Sequence, residues 1–176
     1  MTPDDGYVLI ALFLVPLLSA LLLMAIPSRE RGAIIGFTGL SSLVMFGLSV
    51  YVFARYDFHS TSQFQGVRAW DWIENAGLLG PSAIQLKVGV DGIAAVMVLL
   101  TGIVILAGTW VSWKIDYRLK DFFILLYILV AGVFGTFVMI DLFIWFFFYE
   151  LALLPMYLLI AVWGSTRKEY GAMKLM

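Results

Sequence analysis

The sequence predicts an all-α membrane protein of five transmembrane helices plus the start of a sixth, with a small outer β-hairpin in the loop over residues 55–91. Three observations lead there. Of 176 residues, 62% are hydrophobic and 13% charged, against roughly 45–50% and about 25% in ordinary soluble domains. The apolar residues gather in runs about 20 long, the length a helix needs to cross a hydrocarbon core of about 30 Å. Lysine and arginine concentrate in alternate connections, as positive-inside topology requires. A soluble chain of this size would lack the polar surface to cover such a core, so lipid is its natural solvent.

The first span covers 7–26. Its leader, Met1-Thr2-Pro3-Asp4-Asp5-Gly6, is acidic where a cleavable signal is basic. Ser28-Arg29-Glu30-Arg31 then follows where a small-residue cleavage site would stand, so the helix is read as retained. The second and third spans cover 33–54 and 93–113. The fourth and fifth, 122–140 and 142–163, form one apolar block broken only by Asp141. As a single helix it would run about 60 Å, twice the bilayer core. A tight reversal is therefore expected, with the Asp141 carboxylate capping the fifth helix. Each span must be helical because the core offers no water to satisfy backbone groups. The whole of 1–176 reads as one polytopic domain, with a sixth helix opening at Gly171-Ala172-Met173-Lys174.

Between the second and third spans lies the one long polar connection. Ile84, Leu86, Val88 and Val90 alternate with Gln85, Lys87 and Gly89, a strand period. Residues 66–73, with Trp70 and Trp72 two apart, supply a partner strand, and residues 76–81 a turn. Orientation follows from charge. Arg29, Arg31, Lys114, Arg118, Lys120, Arg167, Lys168 and Lys174 follow the odd-numbered spans, whereas Arg55, Arg68 and Lys87 share the opposite side. That split places the N-terminus outside, with Trp110, Trp113 and Trp163 as anchors at inner helix ends. The setting expected is a bacterial inner membrane. Gly32 and Gly36, Ala131 and Gly135, and Gly132 and Thr136 are spaced for close helix packing within such a bundle.

Several chemistries are excluded by composition. A net charge of −1 gives no footprint for nucleic acid. Without cysteine there is no disulfide, iron–sulfur cluster or zinc–thiolate site in these residues. The one histidine, His59, sits among Asp57, Ser60, Thr61, Ser62 and Gln63 and reads as a surface residue. No cofactor, metal ligand set or catalytic nucleophile–base pair is expected in this chain.

One ionisable residue falls away from helix ends and loops: Glu150, in the run Phe146-Phe147-Phe148-Tyr149-Glu150-Leu151. By helical rise it lies within about 4 Å of the middle of its span. A charge at that depth costs about 3 kcal/mol or more, so such a residue is expected to face a bundle interior and to serve transport. No basic residue of this chain is expected at the same depth, so a cationic partner would have to come from elsewhere. Pro155 cannot donate a hydrogen bond and leaves the carbonyl of Leu151 without its helical partner, next to the acid. The plainer alternative is a neutral, hydrogen-bonded acid beside an ordinary membrane kink.

These residues resemble a known family. Asp141-Leu142-Phe143, Tyr149 through Ile160 and Trp163-Gly164 are similar to the fifth-helix signature of subunit M, an antiporter-like membrane subunit of complex I type NADH:quinone oxidoreductases. Gly89-Val90-Asp91-Gly92 is similar to the segment opening the third helix there, and Leu151 and Leu154-Pro155-Met156 depart from the sister subunit L. The resemblance implies a part in proton translocation coupled to quinone reduction by NADH, as a non-redox subunit. It implies other membrane subunits as partners, through which alone NADH and quinone would be met. It places the family's paired glutamate on Glu150 and implies a lysine on a later helix as its partner. Tyr149 stands where tryptophan is usual. Family members are about three times longer, so the resemblance implies an N-terminal portion that would not pump alone. Rival readings are a subunit of a related sodium/proton antiporter or membrane-bound hydrogenase complex, and a passive membrane scaffold.

Overall fold

The computed structural model describes residues 1, 5–60, 62–73, 84–164 and 168–175. In chain order the elements are α1 Gly6–Ala25, α2 Arg31–Arg55, β1 Gln65–Ile73, β2 Ile84–Val90, α3 Gly92–Ser112, α4 Leu119–Val138, α5 Leu142–Trp163 and α6 Lys168–Leu175. The five helices α1 to α5 are each long and apolar enough to cross a membrane. All five expected spans are present, and the fifth has the expected bounds.

α4 is the central helix. It packs between α1 and α5, while α2 lies along α3. Phe123, Tyr127 and Phe134 of α4 are fully buried against Leu9, Leu12 and Leu23 of α1 and Ile34 and Met45 of α2. On α2 the buried positions Ile34, Thr38, Ser42, Met45, Ser49 and Val52 recur every three or four residues and make one stripe. Its hydroxyls stay satisfied in an apolar setting: Thr38, Ser42 and Ser49 bond carbonyls of their own helix. Ser41 meets Ser19 of α1 at 2.7 Å, and Tyr127 donates to the Thr38 carbonyl at 2.7 Å. Hydroxyls thus tie the helices where lipid offers no partner.

The hairpin is present with the expected strands. β1 and β2 pair antiparallel, with Arg68 opposite Val88, Trp70 opposite Leu86 and a register shift between Gln65 and Arg68. Gly66, at φ +63°, sits in that irregularity, in a backbone region that costs glycine little. The expected turn over 76–81 lies outside the described residues. Val88 and Val90 are fully buried, so β2 is a wedge driven into one end of the bundle.

Helix ends are where structure and sequence part. α4 was expected over 122–140 but runs Leu119–Val138. It starts a turn early because its charged first residues find partners: Arg118 grips Asp121, and Lys120 donates to the carbonyls of Met24 and Ile26 at the end of α1. It stops early because Met139 and Ile140 join β2. Met139 bridges Val88, and the Ile140 N–H donates to the Lys87 carbonyl at 2.9 Å. α6 begins at Lys168, three residues before the expected Gly171.

Candidate functional site

The candidate site is built on α5, and its local geometry begins with Asp141. The residue is extended (φ −71°, ψ 127°), and its carboxylate accepts hydrogen bonds from the backbone N–H groups of Phe143 and Ile144 at 3.0 and 3.3 Å. The expected cap is therefore present, satisfying two of the orphan donors of a helix start. β2 fixes the linker just before it. Nine residues later comes Glu150, about 13 Å along the axis at 1.5 Å per residue, near mid-span. Among the described residues it is the one acid or base of the five spans that lies beyond the first or last turn.

The buried residues of α5 are Ile144, Phe148 and Pro155, four and seven apart on one face. That face closes tightly on the rest of the chain. The Phe148 ring lies over Gly135 of α4 and meets Phe13 of α1 edge-on at 5.0 Å. A Cβ on Gly132 would come within 2.9 Å of the Ala152 backbone and side chain. Gly132 and Gly135 are thus close-packing residues, as expected. At Gly32 and Gly36 an added Cβ would meet nothing within 4 Å, so neither packs against another described helix.

Glu150 follows Phe148 by two residues and so lies about 200° round the helix from it. It is exposed, and makes no hydrogen bond or ion pair with any described residue. Among the helices of this chain it faces away from the others, because close packing by Gly132 and Gly135 turns the opposite face of α5 onto α4. Around the acid, Phe146, Phe147 and Leu154 are each more than half exposed, an apolar face wide enough to receive further helices. Tyr149 stacks on Trp145, with ring centroids 5.7 Å apart and planes 12° apart. Pro155 is buried within α5, where the sequence placed it.

His59 is fully exposed, as a surface residue should be. The Trp163 indole donates to the Tyr117 carbonyl at 2.8 Å, tying the end of α5 to the α3–α4 connection. Two features escaped the sequence reading. Asp5, only 4% exposed, accepts from the Tyr51 hydroxyl at 3.0 Å and lies 3.8 Å from Arg55. The signal available was an acid directly before a helix start, with arginine closing the next helix at the same end. Pro16, buried inside α1, is the other. A proline nine residues beyond a predicted start frees the Leu12 carbonyl by the same logic as Pro155.

Among the described residues, five helices long and apolar enough to cross a membrane, a two-stranded sheet wedged among them and one mid-span acid define a multi-pass membrane protein. No protein-family model matches the chain. Along its whole length it is 34% identical to an NAD(P)H-quinone oxidoreductase chain 4 of Picosynechococcus sp., covering 31% of that protein. A chain 4 of Trichodesmium erythraeum is 36% identical over 96% of this chain and 29% of the relative. The chloroplastic chain 4 of Chara vulgaris is 35% identical over 93% and 32% respectively. The chain is therefore homologous to these quinone oxidoreductase subunits and spans about a third of the length of the curated relatives it matches. Among solved structures, a chain of the membrane-bound sulfane sulfur reductase, an archaeal respiratory membrane complex, shares the fold. Its TM-score is 0.74 at 19% identity, over 96% of this chain and 33% of that one. The kinship read from the fifth-helix residues is borne out.

Proposed function

We propose that the chain forms the front membrane segment of an antiporter-like subunit of a complex I type NADH:quinone oxidoreductase and takes part in proton translocation coupled to quinone reduction. The observation that carries this reading is Glu150: an acid near mid-span, one turn before a helix-interior proline, on the face of α5 that the chain's other helices leave uncovered. An acid exposed to hydrocarbon costs several kcal/mol unless another element supplies a partner. A further helix bearing a cation, covering that face, would supply it. In this reading the chain holds no redox group, and meets NADH and quinone only through other subunits. The membrane is a bacterial inner membrane, with the N-terminus outside.

The test is Glu150→Gln in the assembled complex that contains this chain. The amide keeps volume and most hydrogen bonds while abolishing titration. Native gels should show normal assembly, and quinone-linked NADH oxidation and proton export should fall by an order of magnitude or more, roughly the range for a proton-transfer group. Glu150→Asp should keep part of both. A scaffold role expects the reverse order, Gln mild and Asp worse through poorer packing. Wild-type pumping by an assembled Gln variant would remove Glu150 from the mechanism.

A further inference from the structure

A second feature lies far from α5, at the end of the bundle that its basic residues mark as inner. A cavity of about 150 Å³ opens there between the α1–α2 and α3–α4 connections. Arg31, Arg118 and Lys120 line it, with Ser28 and one carboxylate, Asp116. Each cation is held by neighbours that occupy only part of its donor set. Arg31 donates through Nη1 to Asp116 at 2.6 Å, and through Nη2 to the carbonyls of Trp113 and Ile115 at 3.1 and 3.3 Å. Arg118 donates from Nε to Asp121 at 2.7 Å, and its Nη2 lies 2.7 Å from the same carboxylate oxygen, leaving Nη1 for a ligand. Lys120 spends two bonds on the Met24 and Ile26 carbonyls, at 2.8 and 2.7 Å, of the three its ammonium can make.

Three cations round one small cavity, each positioned by the bonds above and each keeping an unspent donor, suit an anion, because part of their side-chain freedom is already lost before binding. The surrounding balance agrees. Across 28–31 and 114–121 stand Arg29, Arg31, Lys114, Arg118 and Lys120 against Glu30, Asp116 and Asp121, a net of +2. Depth agrees too. The cavity sits where α1 and α3 end and α2 and α4 begin, close to the stacked Trp110 and Trp113 rings. Tryptophans of this kind mark the headgroup level of a bilayer, and basic pockets between helices at that level suit anionic headgroups.

We propose that this cavity binds a phosphate group, supplied by the headgroup of an anionic phospholipid. Free inorganic phosphate shares the chemistry, and the experiment separates the two. The chain is purified in detergent and its bound lipid counted by native mass spectrometry after addition of phosphatidylglycerol or phosphatidylcholine. One phosphatidylglycerol should be retained per chain in preference to phosphatidylcholine. Arg118 has φ 51°, a conformation asparagine tolerates, so Arg118→Asn removes the charge with the backbone kept. It should weaken retention about five-fold, the share of one interfacial cation, whereas Arg118→Lys should restore most of it. Lys114→Gln, on the same face but outside the cavity lining, should change little. If millimolar inorganic phosphate displaces the lipid, the site accepts phosphate from either source; if it does not, the lipid alone is the ligand. Equal retention of the two lipids, or equal losses in Arg118→Asn and Lys114→Gln, would overturn the proposal, because binding would then follow overall surface charge.

Discussion

Adding one methyl group at Gly132 should separate the two helices on which the candidate site depends. A Cβ there would lie 2.7 Å from the Ala152 nitrogen and 2.9 Å from its Cα and Cβ. Comfortable contacts between such atoms are about 3.5–4.0 Å, so α4 and α5 must part by about 1 Å. Two of the three atoms struck belong to helix backbone and cannot rotate aside. Overpacking of this kind costs about 1–3 kcal/mol. Gly36→Ala is the matched control: the same chemical change inside a helix, with nothing within 4 Å of the added atom. There the only effect is the gain from replacing a mid-helix glycine, about 0.5–1 kcal/mol. The same gain applies at Gly132, so the two variants should differ by the overpacking cost, about 1–3 kcal/mol, with Gly132→Ala the less stable. Unfolding in mild detergent titrated with dodecyl sulfate, followed by fluorescence of the six tryptophans, measures the difference. Equal stabilities, or a more stable Gly132→Ala, would show that α4 and α5 are not in backbone contact at Ala152. The orientation deduced for Glu150 would fall with it.

Asp141→Ala removes the acceptor of the Phe143 and Ile144 N–H groups and should lower stability by about 1 kcal/mol in the same titration. Asp141→Asn should recover most of that loss. For topology, a membrane-impermeant thiol reagent applied from outside should label Ser62→Cys, which is exposed before β1, and spare Arg118→Cys between α3 and α4. The reverse labelling would invert the orientation deduced from lysine and arginine.

How much of this was legible in the sequence depends on the range of the forces involved. Each span could be read off because membrane insertion is decided locally, by the apolar length of a segment and the charges beside it. The reversal at Asp141 followed in the same way, since a continuous helix would have been twice too long. The hairpin strands were legible from their alternation, as was the isolation of Glu150 among acids and bases. The face on which Glu150 lies was not legible. With apolar residues all round α5, no periodic pattern told its buried side from its exposed one; the choice fell to Gly132 and Gly135 of α4, whose missing side chains make room for Ala152 and Phe148. Sequence spacing likewise put Gly32 and Gly36 in the same class as those glycines, and only the positions of the other helices separated them. The early end of α4 was invisible for a related reason. Met139 and Ile140 are apolar enough to continue the helix, yet strand β2, some 50 residues earlier in the chain, takes their backbone groups instead. Local composition determined what crosses the membrane and where a charge must be explained. Contacts between distant segments decided which way that charge faces, because a close approach of two helices depends on both surfaces at once.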